Sequence, residues 1–391
     1  MNILLISYFF DPCPAIGAKR WSGFFNASQE DESNNVTVIT ANWEGEKHLN
    51  PNVIYLGDPI TYTPPKSINK EFTLLDIIKH PTLALRSIDA TVFDKWIEHA
   101  KSWINQNNSN NYDMIIASYA PVSSILIGNY AKSVFQASLV IDLRDLISIQ
   151  GQKITLPIIT AIDNLLDKFI TKDVDLFLTV SPTCNKKATL FYKKPTHTIY
   201  NGFASPIAEK MLHLSLKNKS RIVILYTGTL GKTRNPKKIL SILDLFASKN
   251  NSKSIIVKFA SQDSPYDFIE QDNFQNITID WLGYLNKNQI NQEKNNADIL
   301  LLLEDQTEKG NENLTGKIYE YMEAKKPIMA SCHANSDIVK LLHMTSMGNL
   351  IENIDDCENF FSLEKEISTD SINFYTYLVQ YKELLKVLER V

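Results

Sequence analysis

Glycine is scarce. The 391-residue chain has 13 glycines, about 3% against a typical ~7%, so each one that follows a strand carries extra weight. Cysteine is sparse as well. Cys13, Cys184, Cys332 and Cys357 stand far apart, with no Cys-x-x-Cys pair and no clustered histidines, a pattern that fits reduced thiols and excludes a sequence-readable metal site. No run of 18 apolar residues occurs, so no bilayer span is expected. The opening segment has no basic region ahead of its apolar residues, and is expected to be a first core strand, not a signal peptide. No Gly-x-Gly-x-x-Gly exists, which weighs against a nicotinamide-binding domain. Neither sign of charge dominates. Lys and Arg total 40 against 44 Asp and Glu, for a net charge of -4, and this argues against a dedicated nucleic-acid binder.

What is present suffices for packed cores: 44% of residues are hydrophobic and 21% charged. The length is about twice that of an ordinary domain. Short runs of β-branched and aliphatic residues alternate with helical stretches. They fall at 3–7, 36–40, 114–118, 139–142 and 176–180, then at 222–227, 255–260, 277–282, 298–303 and 327–331. Such runs are what parallel strands buried on both faces look like, so each half is expected to form an open, doubly wound α/β layer. A turn signal at Asn201-Gly202 follows a short strand at 198–200 and marks the seam. The expected division is an acceptor-side domain over 1–203, a donor domain over 204–369, and a C-terminal helix over 370–391 that returns to the first domain. Phe374, Tyr377, Leu378, Tyr381, Leu384, Leu385 and Leu388 give that helix its apolar stripe.

Two glycine loops stand beyond strand ends, where parallel sheets bind ligands. Gly17 follows the first strand and opens a helix whose positive end suits a diphosphate, although a plain turn would look the same. Gly228-Thr229-Leu230-Gly231-Lys232-Thr233 ends like a phosphate-cradling loop, but the glycine required five positions before Gly231 is Tyr226. An ATPase is therefore rejected. What survives is a small-residue loop followed by the cations Lys232, Arg234, Lys237 and Lys238, able to hold phosphate by charge without wrapping it.

The strongest signal runs from Glu312 to Ala330. Asn313 or Thr315 can cap a helix there, and Pro327 ends it ahead of the next strand. Glu320 lies eight positions after Glu312, about two turns or ~12 Å along a helix axis. One carboxylate can accept hydrogen bonds from sugar hydroxyls and the other from ribose hydroxyls. Between them, amides at the helix start and Lys317 face a diphosphate. For a lone pair of glutamates a solvated helix face is the blander reading; Gly316-Lys317 between them weighs against it here.

With these residues in view, the chain resembles GT-B fold glycosyltransferases of the retaining family 4 type, the group-1 transferases of bacterial surface-polysaccharide synthesis. The resemblance rests on an ordered series: Gly17 with Arg20-Trp21, Asp142-Leu143-Arg144-Asp145, Val180-Ser181-Pro182 and Ile199-Tyr200-Asn201-Gly202-Phe203. It continues in Tyr226-Thr227-Gly228-Thr229-Leu230, Leu282-Gly283-Tyr284-Leu285 and the Glu-x7-Glu stretch. It implies two Rossmann-like domains facing across a cleft. It implies catalytic roles for Glu312, Asp145 and Lys317. Donor contacts would come from Gly17, Arg20, Gly228, Thr229, Lys232, Arg234, Gly283, Tyr284, Asn313, Leu314, Thr315 and Glu320. The chain departs from the family at two points. Thr229 stands where an Arg is common, and Arg144-Asp145 replaces a His-Asp pair, so no catalytic histidine is carried over.

The implied activity is transfer of a sugar from a nucleotide diphosphate sugar, expected to be a UDP-sugar, with retention and without a metal or other cofactor. The acceptor would be a saccharide or lipid-linked saccharide, and the setting the cytoplasm or the inner face of the cell membrane. A basic, aromatic stretch over 72–105 fits either peripheral membrane contact or a helix packed on its own sheet. Two rivals stay open: a sugar-nucleotide epimerase, and a non-catalytic protein that keeps the fold as a scaffold.

Overall fold

The apolar runs are strands, and they sort into two parallel sheets. The structure, a computed structural model, describes residues 1–391 apart from 32, 64–84, 90, 92–93, 150–156, 218, 251–252, 270–273 and 313. The chain divides into two compact units, one of residues 1–204 with 377–391, the other of residues 205–376.

In the first unit the strands are β1 (Asn2–Ile6), β2 (Asn35–Trp43), β3 (Val53–Ile60), β4 (Met114–Tyr119), β5 (Ser138–Leu143), β6 (Leu176–Thr179) and β7 (Thr196–Thr198). They lie in the order β3-β2-β1-β4-β5-β6-β7, every pair parallel. The helices between them are α1 (Ile16–Ser28), α2 (Trp96–Gln106), α3 (Val122–Phe135), α4 (Pro157–Ile170) and α5 (Pro182–Tyr192). All six residues of β4 are buried, as a strand covered on both faces requires.

The second unit repeats the plan. A small antiparallel pair joins β8 (Met211–Ser215) to β15 (Glu364–Ser368). The main strands are β9 (Arg221–Thr227), β10 (Ser254–Ala260), β11 (Ile277–Trp281), β12 (Ile299–Leu303), β13 (Ile328–Ser331) and β14 (Gly348–Leu350). Their order is β11-β10-β9-β12-β13-β14, again with every pair parallel. The helices are α6 (Lys237–Lys249), α7 (Lys287–Asn296), α8 (Gly316–Glu323), α9 (Asp337–Thr345), α10 (Ile354–Phe361) and the short α11 (Asp370–Asn373). In each sheet the chain winds outward from one central strand, then crosses to its other side. The reversal falls between β1 and β4, and between β9 and β12. Connections diverge there, leaving a crevice beyond the strands' carboxyl ends where a ligand can reach the backbone. Gly17 follows β1, Gly228 directly follows β9, and Glu304 directly follows β12.

The last helix, α12 (Tyr377–Leu388), belongs to the first unit. Tyr381, Leu384, Leu385 and Leu388 join Ile3, Leu5, Trp21 and Phe24 in one buried cluster. The Tyr377 ring meets Phe24 edge-on at 5.5 Å and covers Gly23, where any Cβ would strike it. Residues 370–376, which the sequence reading joins to this helix, stay in the second unit. In the described part of the 72–105 stretch, α2 packs on the sheet through Trp96, Ala100 and Ile104, while Glu98, His99, Lys101 and Ser102 are exposed. The remainder lies largely outside the described residues. Among the described residues no helix is long and apolar enough to cross a membrane. All four cysteines are buried, and none is in a disulfide.

The first unit closes around a polar knot. Asp142 at the end of β5 is wholly buried. It accepts from Arg20 Nη2 at 2.9 Å and from Trp21 Nε1 at 2.8 Å, while Arg20 Nη1 donates to Asn201 Oδ1 at 3.0 Å. Removing one partner from a buried pair leaves the other charge uncompensated. Asp142→Ala is therefore expected to reduce the unfolding free energy by about 3–5 kcal/mol in urea denaturation. A loss below ~1 kcal/mol, the range of exposed pairs, would deny the knot structural weight.

Candidate functional site

The second unit gathers charge at its switch point. The Tyr226 side chain at the end of β9 is buried, and its hydroxyl donates to the Thr229 carbonyl at 2.6 Å, tightening the loop that Gly228 opens. Gly228 has φ +133°, a conformation that L side chains rarely adopt. A second reason excludes a side chain: a Cβ there would run into Lys317 Nζ and Cε. The scarce glycine is present because an ammonium occupies the space beside it.

That ammonium comes from α8. Thr315 caps the helix, its Oγ1 accepting from the Lys317 amide at 3.4 Å. Ile318, Tyr319, Tyr321 and Met322 are buried on the helix's inner face. The Tyr321 hydroxyl lies 3.0 Å from Thr227 Oγ1 and donates to the Leu301 carbonyl at 3.3 Å, fixing α8 to both β9 and β12. Lys317 is thereby held with Nζ 5.1 Å from the centre of the Tyr226 ring. Nζ is buried and has no hydrogen-bond acceptor among the described residues. Burial pushes the ammonium down from its ordinary 10.5 to about 8; Glu304 and Glu320 oppose that shift and Arg234 adds to it.

Arg234 is the second cation. Its Nε donates to Glu304 Oε2 at 2.8 Å, its Nη2 is equally close to that oxygen, and its Nη1 reaches Thr229 Oγ1 at 3.3 Å. Thr229 thus helps to orient Arg234. Glu304 is 1% exposed and its Oε1 has no hydrogen-bond partner among the described residues. Glu304 pairs with Arg234, while the Lys317 ammonium, though favoured by the charges of Glu304 and Glu320, has no hydrogen-bonded acceptor among the described residues. Lys232, the other candidate cation, is exposed to solvent, and Arg234 is the one the structure brings to the cluster.

Glu312 ends a 3-10 turn (Glu308–Glu312) ahead of α8, so of the two glutamates only Glu320 is on the helix. The expected two-turn spacing along one helix is corrected accordingly. Glu312 is buried, at 4% exposure, and Glu320 half-buried. Leu314 is buried beside them, and Asn313 lies outside the described residues. Gly283 adopts φ +69° in the loop after β11, with Tyr284 fully in solvent.

In the first unit the residues separate. Arg20 is interior, bound to Asp142, and so does not offer its charge to a ligand as the resemblance implies. Gly17 backs onto Arg144, whose guanidinium a Cβ at Gly17 would strike. Arg144 donates from Nε to the Tyr119 carbonyl at 3.1 Å and from Nη2 to the Ala120 carbonyl at 2.7 Å. Asp145 is exposed next to it. Glu304 is the group that sequence reasoning missed. The only signal was a carboxylate ending an otherwise all-leucine and isoleucine strand.

No protein-family model matches the chain, and neither does any curated protein. Solved structures do. Sucrose-phosphate synthase from Thermosynechococcus elongatus is similar over 99% of this chain and 94% of its own, at 15% identity and a TM-score of 0.55. The UDP-forming α,α-trehalose-phosphate synthase from Burkholderia vietnamiensis is similar over 100% and 99%, at 10% identity and a TM-score of 0.56. The fold is GT-B. A putative UDP-N-acetylglucosamine 2-epimerase from Listeria monocytogenes shares this GT-B likeness over 99% and 96%, at 12% identity and a TM-score of 0.51. At such identities the likeness concerns architecture; chemistry rests on the residues.

Lys317 gives the site a stability signature. Its folded pKa lies below the unfolded value, so the unfolded chain binds the proton more tightly. The penalty is complete below about pH 8 and fades as pH rises from 8 to 10.5. Lys317→Met is expected to stabilise the ligand-free protein at pH 7 by on the order of 1–3 kcal/mol and to flatten that alkaline rise. Urea titrations across this pH range check both; a destabilised variant would show that the ammonium has an acceptor.

Proposed function

We propose that the chain is a retaining, metal-independent glycosyltransferase. It moves a sugar from a nucleoside diphosphate sugar, a UDP-sugar, to a hydroxyl of a saccharide or lipid-linked saccharide in polysaccharide synthesis. The observation that carries this reading is the buried, acceptor-free Lys317 ammonium beside Gly228, with Arg234 locked next to it at the switch point of its sheet.

Breaking the bond between the sugar's anomeric carbon and the diphosphate oxygen leaves negative charge on the diphosphate and positive charge on the ring. Lys317 and Arg234 are fixed before the ligand arrives, so they stabilise the departing diphosphate without reorganising. Two cations also take the charge-balancing role that a divalent ion fills elsewhere. Glu312 accepts from hydroxyls of the transferred sugar and Glu320 from those of the ribose. Thr315 and Leu314 form the rim at the helix start, Asn313 is assigned to the donor with them, and Gly283 and Tyr284 flank the nucleoside. Of the first unit's residues, Asp145 is assigned to the sugar or the acceptor and Gly17 to the diphosphate.

The likeness to a UDP-N-acetylglucosamine epimerase supports one second reading, interconversion of sugar nucleotides at the same cations. That reaction yields an altered sugar nucleotide with no acceptor present, and product analysis separates the two.

UDP at 100 times its dissociation constant is expected to stabilise the protein by about 2.7 kcal/mol, a melting shift of several degrees. Lys317→Met and Arg234→Gln should each remove most of that shift. No response to any nucleoside diphosphate would favour a non-catalytic scaffold. Glu312→Gln should lower turnover by on the order of 100-fold while leaving UDP affinity nearly intact. Chelator should leave the rate unchanged, and strong inhibition by it would contradict the metal-free mechanism.

A further inference from the structure

Glu304 is a carboxylate in a place where an anion is expected to bind. The strand before it, β12, is buried hydrocarbon throughout, and Glu304 follows it directly at the switch point of the second sheet. A negative charge there opposes a diphosphate, so the residue needs a reason to stand where it does. Its backbone is fixed: the Glu304 amide donates to the Ser331 carbonyl at 3.1 Å and extends the ladder between β12 and β13. Its side chain is buried. Oε2 lies 2.8 Å from both Nε and Nη2 of Arg234, while Oε1 has no hydrogen-bond partner among the described residues.

Arg234 depends on this contact. It lies in the loop between β9 and α6, with 34% of its side chain exposed. Apart from Glu304, the guanidinium reaches only Thr229 Oγ1 among the described residues, at 3.3 Å. Without the carboxylate its flexible stem is free to extend into water. Lys317 is handled differently. Among the described residues its Nζ is faced by Glu304 from the end of β12, Arg234 from the loop after β9, the Tyr226 ring from β9 and Glu320 from its own helix. Of the two carboxylates, Glu304 does more to favour the charged ammonium against burial, yet it makes no bond to Nζ. One carboxylate thus gives a bond to Arg234 and a field to Lys317. An acceptor bonded to Nζ would have to be displaced before a phosphate oxygen could bind there, and a field does not.

We propose that Glu304 is a positioning residue of this site, aiming Arg234 and setting a negative charge near Lys317 while leaving Nζ unbonded for the ligand. The inference rests on the diphosphate reading of the site and adds to it the group that keeps both cations ready. Glu304 acts through those cations and touches no ligand atom.

Urea titrations of the ligand-free protein test the field without any nucleotide. In the wild type, the alkaline rise in stability that Lys317→Met flattens should start near pH 8. Glu304→Gln removes a charge that favours the ammonium, so the folded-state pKa of Lys317 falls further below the unfolded value and the rise should start at lower pH. Glu304→Asp keeps the charge and should restore the wild-type start. Calorimetry with UDP tests the cations together. Between pH 6.5 and 8, the affinity of Glu304→Gln should fall roughly fourfold more than that of the wild type. Arg234→Gln should weaken UDP binding at least ~10-fold in the wild type, but under ~3-fold beside Glu304→Gln or the shorter Glu304→Asp, where Arg234 is no longer aimed. Melting temperatures above the assay range show each variant folded. An alkaline rise unmoved by Glu304→Gln overturns the proposal whether or not UDP binds, and so does a full Arg234→Gln loss in either Glu304 background. A shifted rise in a protein that binds no UDP would support the hold of Glu304 on Lys317 and count against the diphosphate reading alone.

Discussion

A single ammonium held away from any acceptor sets the terms for the second unit. Burying a charge without a partner is costly, and a flexible lysine stem would normally turn toward water. Lys317 does not, because α8 is fastened by Thr315 at its start and by four buried residues along its inner face. Tyr321 ties the same helix to the two central strands. The room beside Nζ exists only because residue 228 has no side chain. A ligand that brings an anionic acceptor to Nζ turns this cost into binding.

The two units follow one winding rule yet handle charge differently at their switch points. In the first, Arg20 is neutralised by Asp142 and Arg144 is saturated on two of its nitrogens by backbone carbonyls. Both cations there stiffen the scaffold. In the second, Glu304 fixes Arg234, and the Lys317 ammonium beside them keeps no hydrogen-bonded acceptor among the described residues. Polarity is reversed again on α4, where carboxylates are the anchor and hydrocarbon is the outer surface.

Much of this was legible in the sequence. The central strands announced themselves because strands buried on both faces are continuous apolar runs, as in β4 and β12. β3 was not legible because, at the sheet edge with Gly57 and Pro59, it is only half-buried. β8 and β15 form an exposed antiparallel pair with short, polar sequences. At the site, Gly228 and Lys317 could be singled out from position, while the cap stayed open between Asn313 and Thr315 until the structure gave it to Thr315. Arg234 could not be ranked over Lys232, since the choice depends on Glu304, 70 residues away, being buried within reach. Arg20 looked like a ligand-facing cation because its partner Asp142 is 122 residues distant. The apolar spacing of α4 is plain in the sequence, but periodicity does not say which face turns inward.

The central claim concerns Lys317, and proton linkage reports on it directly. An anion bound at Nζ raises the pKa of that group, so binding near pH 8, where the ammonium is partly neutral, must draw a proton from solution. Calorimetric titration of UDP into the protein, in buffers of different ionisation enthalpy, should show uptake approaching about half a proton near pH 8 and almost none below pH 6.5. UDP binding with no uptake at either pH would mean that the diphosphate does not sit on Lys317.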